Sequence, residues 1–309
     1  MITGKDLGGI TVATVLPFHE DGAIDWAGYE AVLAHCARPA TTDCVFVNGH
    51  AGEATALSAD EKAEVIRRTR AHIGKARILF AGVVATGYPD ALAQAEAARE
   101  AGADIAVIFP PEALGGGNAN TAAGIRFMEK LGRELQMPLS VFQFPIASGF
   151  GFSTPVLAEM AQIPQVVAVK EGSATLLAYD ENRRAIKAVA PDVAILPSNF
   201  HWFFAQVALG GDGILSGLAS LVPELLADLW AAAQDADLTR MRAANERLYP
   251  VVRAIYGPAP VVDMHTRMKD GLRMMGIIGN SAPRLPLLPQ PPEIVENLRK
   301  ALITAEVMQ

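Results

Sequence analysis

Between residues 10 and 216 lie eight short apolar runs rich in β-branched residues, each followed by a helix-like run, the last beginning at residue 223. The β-like runs are residues 10–15, 44–47, 78–84, 105–109, 139–144, 166–170, 193–196 and 213–216. They lack polar alternation, so both faces of each strand are expected to be buried, as in a parallel sheet flanked by helices. The helix-like runs fall at 25–35, 58–73, 89–101, 121–135, from 154 onward, 176–189 and 202–209. Ser58 and Glu61 form a capping box at the second, and Pro155 sits at the first position of the short helix after strand five. Eight such units in about 230 residues predict an α/β fold, a (β/α)8 TIM barrel. A doubly wound sheet usually has fewer strands and a glycine-rich nucleotide fingerprint. No GxGxxG opening a helix and no GxxxxGK[ST] occurs. The barrel is placed at residues 1–222. Residues 223–309, with helical runs at 223–234, 238–256, 262–275 and 292–306, form a C-terminal helical appendage packed on it.

Composition removes several partner classes. The 26 Lys and Arg against 33 Asp and Glu leave a net charge of −7, which argues against nucleic acid and anionic membrane surfaces. No apolar run of about 18 residues is present and the N-terminus does not read as a signal peptide, so no membrane partner and a cytoplasmic location are expected. Cys36 and Cys44 are the only cysteines, without metal-ligand spacing or a disulfide framework. No paired His and acidic residues fall at strand ends, so no metal site is expected and a metal-dependent barrel lyase is disfavoured.

Chemistry in such barrels sits at the carboxyl ends of strands. Lys170 is the only basic residue among those ends, preceded by Val166-Val167-Ala168-Val169 and followed by Glu171-Gly172-Ser173. An amine at the end of a buried strand is costly unless it is paired, exposed or used. Desolvation lowers its pKa, and a neutral amine attacks a keto group to form an imine. The plain alternatives are a lysine reaching out to solvent or paired with Glu171.

Further pieces of the chain give this lysine a setting. Leu16-Pro17-Phe18 is followed by Asp21-Gly22-Ala23-Ile24-Asp25, and Gly49-His50-Ala51-Gly52-Glu53 by Leu57-Ser58. Ala101-Gly102-Ala103-Asp104, Pro110-Pro111, Val169-Lys170-Glu171, Gly210-Gly211-Asp212-Gly213 and Arg284-Leu285-Pro286-Leu287 come after them in order. In this order they resemble the dihydrodipicolinate synthase and N-acetylneuraminate lyase family, over residues 8–289. The resemblance implies a (β/α)8 barrel with C-terminal helices, usually a homotetramer, and a lyase whose lysine binds pyruvate or another 2-keto acid covalently. No cofactor is implied beyond that imine, at Lys170. The family's GTTGE loop reads Gly49-His50-Ala51-Gly52-Glu53 here. The tyrosine of its YNVP-like motif is replaced by Phe142, its tyrosine pair after strand four by Pro111 and Glu112, and its carboxylate-binding arginine by Ala147. Residues 143–149 are similar instead to a tyrosine-lacking branch that dehydrates 2-keto-3-deoxy sugar acids, with L-2-keto-3-deoxyarabonate dehydratase as its representative.

The expected substrate is therefore a small-molecule 2-keto acid, dehydrated through an imine at Lys170. A pyruvate-dependent aldolase is the runner-up, and a keto-acid-binding barrel without turnover is the alternative of another class. Gly49 and Ala51 belong to a turn whose N–H groups can hold the substrate carboxylate. His50 is the candidate acid/base replacing the lost tyrosine; otherwise it is an ordinary loop histidine. Gln143 either orients a hydroxyl or water, or only satisfies backbone groups. Ser198, Asn199 and Ser216 are expected to line the barrel mouth, and Glu53 to fix the turn. Glu112 is expected to be solvated, 201–204 to be a buried helix start, and His265, Arg267 and Lys269 to form a solvated helix face.

Overall fold

The computed structural model describes residues 2–198 and 200–309. Its eight strands are β1 (Ile10–Ala13), β2 (Cys44–Val47), β3 (Ile78–Val83), β4 (Ile105–Ile108), β5 (Leu139–Gln143), β6 (Val166–Glu171), β7 (Ala194–Pro197) and β8 (Ile214–Ser216). All pair in parallel, in the order β7-β6-β5-β4-β3-β2-β1-β8. This is a nearly closed (β/α)8 barrel. At the seam between β7 and β8, Asp212 takes the place of a ladder. Its N–H donates to Ile195 O at 2.9 Å and its carboxylate accepts from Ile195 N at 2.7 Å.

The helices that follow the strands are α1 (Trp26–Cys36), α2 (Ala59–Ile73), α3 (Tyr88–Glu100), α4 (Ala122–Leu135), α5 (Thr154–Met160), α6 (Leu176–Val189), α7 (Phe203–Ala208) and α8 (Pro223–Gln234). Ser58 caps α2 with the reciprocal Glu61 bond, so the sequence signal and the helix start coincide. The boundary drawn at residue 222 leaves α8 with the C-terminal region. Its packing on β1 and α7 instead makes it the eighth helix of the ring. Beyond it come α9 (Leu238–Tyr256), α10 (Met264–Met274) and α11 (Pro292–Thr304), with α9 and α10 packed together.

One irregularity decides what β6 presents to the barrel. Against β5 its register shifts between Leu139↔Val166 and Ser140↔Ala168, leaving Val167 as an extra residue. Side chains alternate across a strand, so the shift resets the phase. From there Ala168 joins the apolar cluster that includes residues of β1 and β8 and extends to the C-terminal helices, and Lys170 lines the mouth. Val169 joins the cluster between sheet and helices.

His265, Arg267 and Lys269, on α10, do not form a solvated face. His265, Arg267 and Lys269 are 5%, 1% and 0% exposed. At about 100° per residue, positions i and i+4 share a helix face and i+2 lies opposite. Each cation is therefore satisfied on its own side. Lys269 donates to Glu53 and Ala282 O, and Arg267 to Ile255 O, Pro260 O and Gln290.

Candidate active site

A cavity of about 430 Å³ opens at the carboxyl ends of the strands. Its walls are largely apolar, from Phe46, Phe142, Phe144, Phe200, Leu215, Met264 and Met268. Its polar groups are His50, Gln143, Lys170, Ser198, His201, Ser216, Tyr256 and His265.

Lys170 is 7% exposed, and its Nζ lies 3.7 Å from the centre of the Phe142 ring and 5.1 Å from that of Phe46. Aromatic faces favour the ammonium modestly. Desolvation outweighs them and brings the pKa down to about 7. Glu171 offers no compensation, because it faces the helices. Its carboxylate accepts from Ser173 Oγ at 2.5 Å and from Asn182 Nδ2 at 3.0 Å. Burial raises its pKa and these bonds oppose the rise. Both plain readings of Lys170 thus fail: it is neither solvated nor paired with its neighbour.

The turn after β2 runs between two non-glycine residues in the left-handed region, Asn48 (φ 55°) and Glu53 (φ 51°). It is crowded from β3, where a Cβ on Gly82 would fall 2.1 Å from Asn48 O. Glu53 N donates to His50 O and Ala54 N to Gly49 O. The N–H groups of His50, Ala51 and Gly52 have no hydrogen-bond partner among the described residues. His50 and Ala51 line the cavity. Gly49 does not: it packs against Phe46, where a Cβ would meet the ring at 2.6 Å. Glu53 holds the turn by accepting from Lys269 Nζ at 2.5 Å and Arg284 N at 3.2 Å.

His50 is an exposed residue of the turn, and its imidazole opens on the cavity with four rings beside it. Phe109, Phe142, Phe144 and His265 lie at centroid distances of 5.1, 5.7, 5.8 and 6.5 Å. Burial among these rings, helped by the positive charge of Lys170, lowers its pKa to about 4.

Gln143 lines the cavity, but its amide is engaged. Nε2 donates to Phe152 O at 2.8 Å and Oε1 accepts from Phe152 N at 3.0 Å, which is the backbone-satisfying role. Ser198 lines the mouth, and Asn199 lies outside the described residues. Ser216 accepts from Leu218 N at 3.1 Å and bonds the Tyr256 hydroxyl. Glu112 is exposed. The segment 201–204 is only partly buried: Phe203 is enclosed, whereas His201 and Trp202 are exposed, with His201 on the cavity wall.

Sequence reasoning missed Tyr256, Phe200 and His265. Tyr256 ends α9, stacks on Phe200 at 3.5 Å and is buried, which raises its pKa. His265 had a readable signal, since basic residues at i, i+2 and i+4 cannot share one solvated face. Among the described residues no group of three or more His, Cys, Asp or Glu stands close enough to hold a metal ion, and no helix is long and apolar enough to cross a membrane.

Fold and cavity together define a (β/α)8 barrel protein with a desolvated lysine at the end of its sixth strand. The chain belongs to the dihydrodipicolinate synthetase family, whose profile matches residues 6–305. It is 29% identical over 310 residues to a 4-hydroxy-tetrahydrodipicolinate synthase of Corynebacterium aurimucosum, covering 97% of this chain and 95% of that one. A synthase of the same name from Pseudomonas aeruginosa is 28% identical, with 96% and 97% covered. Among solved structures, dihydrodipicolinate synthase from Thermotoga maritima superposes with a TM-score of 0.89 at 22% identity, covering 98% and 100%. A prophage protein of the family from E. coli K12, in complex with pyruvate, gives 0.88 at 20%, covering 98% and 99%. At these identities the structural likeness is one of fold.

Proposed function

We propose that this chain is a lyase that binds a 2-keto acid as an imine on Lys170 and dehydrates a 2-keto-3-deoxy sugar acid. The observation that carries the reading is the amine itself, desolvated and without a carboxylate partner among the described residues, inside a cavity. The N–H groups of His50, Ala51 and Gly52 receive the substrate carboxylate without a cation. The imine withdraws electrons from C3, His50 takes the C3 proton, and water leaves from C4. No further cofactor enters this scheme.

Aldol cleavage at C3–C4 is the second reading, favoured by the relatives named as synthases. Condensation of pyruvate with aspartate semialdehyde is not expected: Phe142 has no hydroxyl, and Lys170 is the only lysine or arginine on the cavity wall among the described residues. A homotetramer of the 32.7 kDa chain is the assembly we infer from the resemblance, and light scattering measures it directly.

Borohydride reduction in the presence of a panel of 2-keto acids, followed by peptide mass analysis, tests the function. The expected result is a substrate-mass adduct on the peptide containing Lys170, with turnover of 3-deoxy-4-hydroxy acids. An adduct without turnover would leave a binding protein, and an unmodified Lys170 would end the lyase reading.

A further inference from the structure

Two imidazoles face the same cavity from opposite parts of the chain. His50 comes from the turn after β2 and His265 from the first turn of α10, with ring centroids 6.5 Å apart and planes inclined by 37°. A second contact keeps these parts in register. Lys269, one helical turn beyond His265, donates to Glu53, three residues beyond His50, at 2.5 Å, with both side chains buried. The helix and the turn are thus tied beside the point where the two rings meet.

His265 has few other tasks in the fold. Its ring has no hydrogen bond among the described residues, and the neighbouring cations are occupied, Lys269 by Glu53 and Arg267 by backbone carbonyls and Gln290. Of the other protic groups on the wall, Gln143 is engaged with Phe152 and Ser216 with Leu218 N and Tyr256. His201 stands on the exposed part of the wall against Phe200. Beside Lys170, and Tyr256 whose hydroxyl is engaged with Ser216, His265 is the titratable side chain that is both buried and on the wall among the described residues.

We propose that His265 is a second catalytic residue, which exchanges the proton of the substrate's C4 oxygen while His50 exchanges that of C3. This rests on the imine chemistry proposed for Lys170. In the forward dehydration His50 takes the C3 proton, and the C–H electrons form the enamine as the iminium nitrogen is neutralised. The proton passes from His50 to His265 across the gap between the rings, through a bridging water. His265 gives it to the C4 hydroxyl, the C4–O bond breaks, and water leaves. The enamine pair becomes a C3–C4 double bond and the iminium returns. Hydrolysis then frees the unsaturated keto acid and the Lys170 amine. Both rings end neutral, as they began, which suits imidazoles whose burial and cationic neighbours disfavour the charged form.

The two roles separate experimentally. Exchange of C3 protons of pyruvate into D2O, followed by NMR, reads the imine and His50 steps alone, because pyruvate has no C4 oxygen. Turnover of a 4-hydroxy-2-keto acid reads the whole cycle. His265→Phe and His265→Asn should keep the borohydride adduct on Lys170 and C3 exchange within a few-fold of the parent, and lose roughly 10²-fold or more in turnover. His50→Ala should lose both. Turnover within a few-fold of the parent in both His265 variants would overturn the proposal. So would C3 exchange that falls with turnover while the adduct persists, since His265 would then serve C3 or only shape the site. Absence of adduct and exchange in the parent protein would remove the proposal together with the imine reading beneath it, a result distinct from either.

Discussion

The Lys170 amine lies 3.7 Å from the ring centre of Phe142, the residue paired with it across the β5–β6 ladder. Where the family pattern has a tyrosine hydroxyl, this chain offers the amine an apolar face. The amine gains a weak attraction and loses its water, and the loss dominates.

Imine formation should therefore follow an amine of pKa about 7 rather than the roughly 10.4 of a free lysine. Below that value the ammonium dominates and cannot attack; above it the neutral amine does. The rate of borohydride trapping should rise with pH and level off just above 7. Phe142→Glu, which places a carboxylate beside the amine, should move the curve to higher pH. A parent rate still rising tenfold per pH unit at pH 9 would refute the assignment.

The same burial lowers stability. Because the folded pKa lies below the unfolded one, the unfolded chain binds the extra proton, and stability rises with pH between about 7 and 10.5. Lys170→Met, of similar volume and uncharged, should stabilise the protein at pH 6 by on the order of a few kcal/mol while abolishing the adduct. The gain should shrink toward zero near pH 10. Urea titrations at both pH values measure it; a destabilised variant at pH 6 would count against a desolvated, unpaired amine.

Glu53 and Lys269 make the opposite case, a buried pair whose members depend on each other. Removing one leaves a charge without its counter-charge. Glu53→Gln should cost roughly 3–5 kcal/mol, and Glu53→Gln with Lys269→Met together much less. The single variant should also loosen the turn that carries the three unpartnered N–H groups, and so raise the KM for a keto acid. If the double variant loses as much stability as the sum of its singles, the pair is not acting as a unit.

The barrel was legible because its signal is repetition: eight apolar runs separated by helix-length segments survive errors of one or two residues at any boundary. β1 ending at Ala13 rather than residue 15 changes nothing in the count. The facing of Lys170 was not legible in the same way. Its strand is apolar on both sides, so no alternation marks the inward phase, and the bulge at Val167 shifts that phase within the strand itself. The lysine was found by its position at a strand end. The spacing of 265, 267 and 269 argued against one solvated face, but the place of His265 and Tyr256 on the cavity wall depends on how α9 and α10 fold back over the mouth, a long-range contact that local pattern does not encode.

His50 carries the most exacting expectation. The turn after β2 brings an imidazole to the cavity beside Lys170, where Phe142 has no proton to offer. His50→Ala should lower kcat roughly 10²–10⁴-fold, the range for a lost acid/base group. The Lys170 adduct should survive, because the amine and the N–H groups of Ala51 and Gly52 remain. The pH signature differs from that of an ordinary histidine. Its pKa is held down to about 4, so the neutral, proton-accepting form prevails throughout the neutral range. The limb due to His50 should then appear in kcat, which reports the bound state, as a fall below about pH 4–5. The limb in kcat/KM near pH 7 belongs to the free Lys170 amine and should remain in the variant. Normal turnover by His50→Ala, or a kcat limb near 6.5 that vanishes with the substitution, would show that this ring is not the base described.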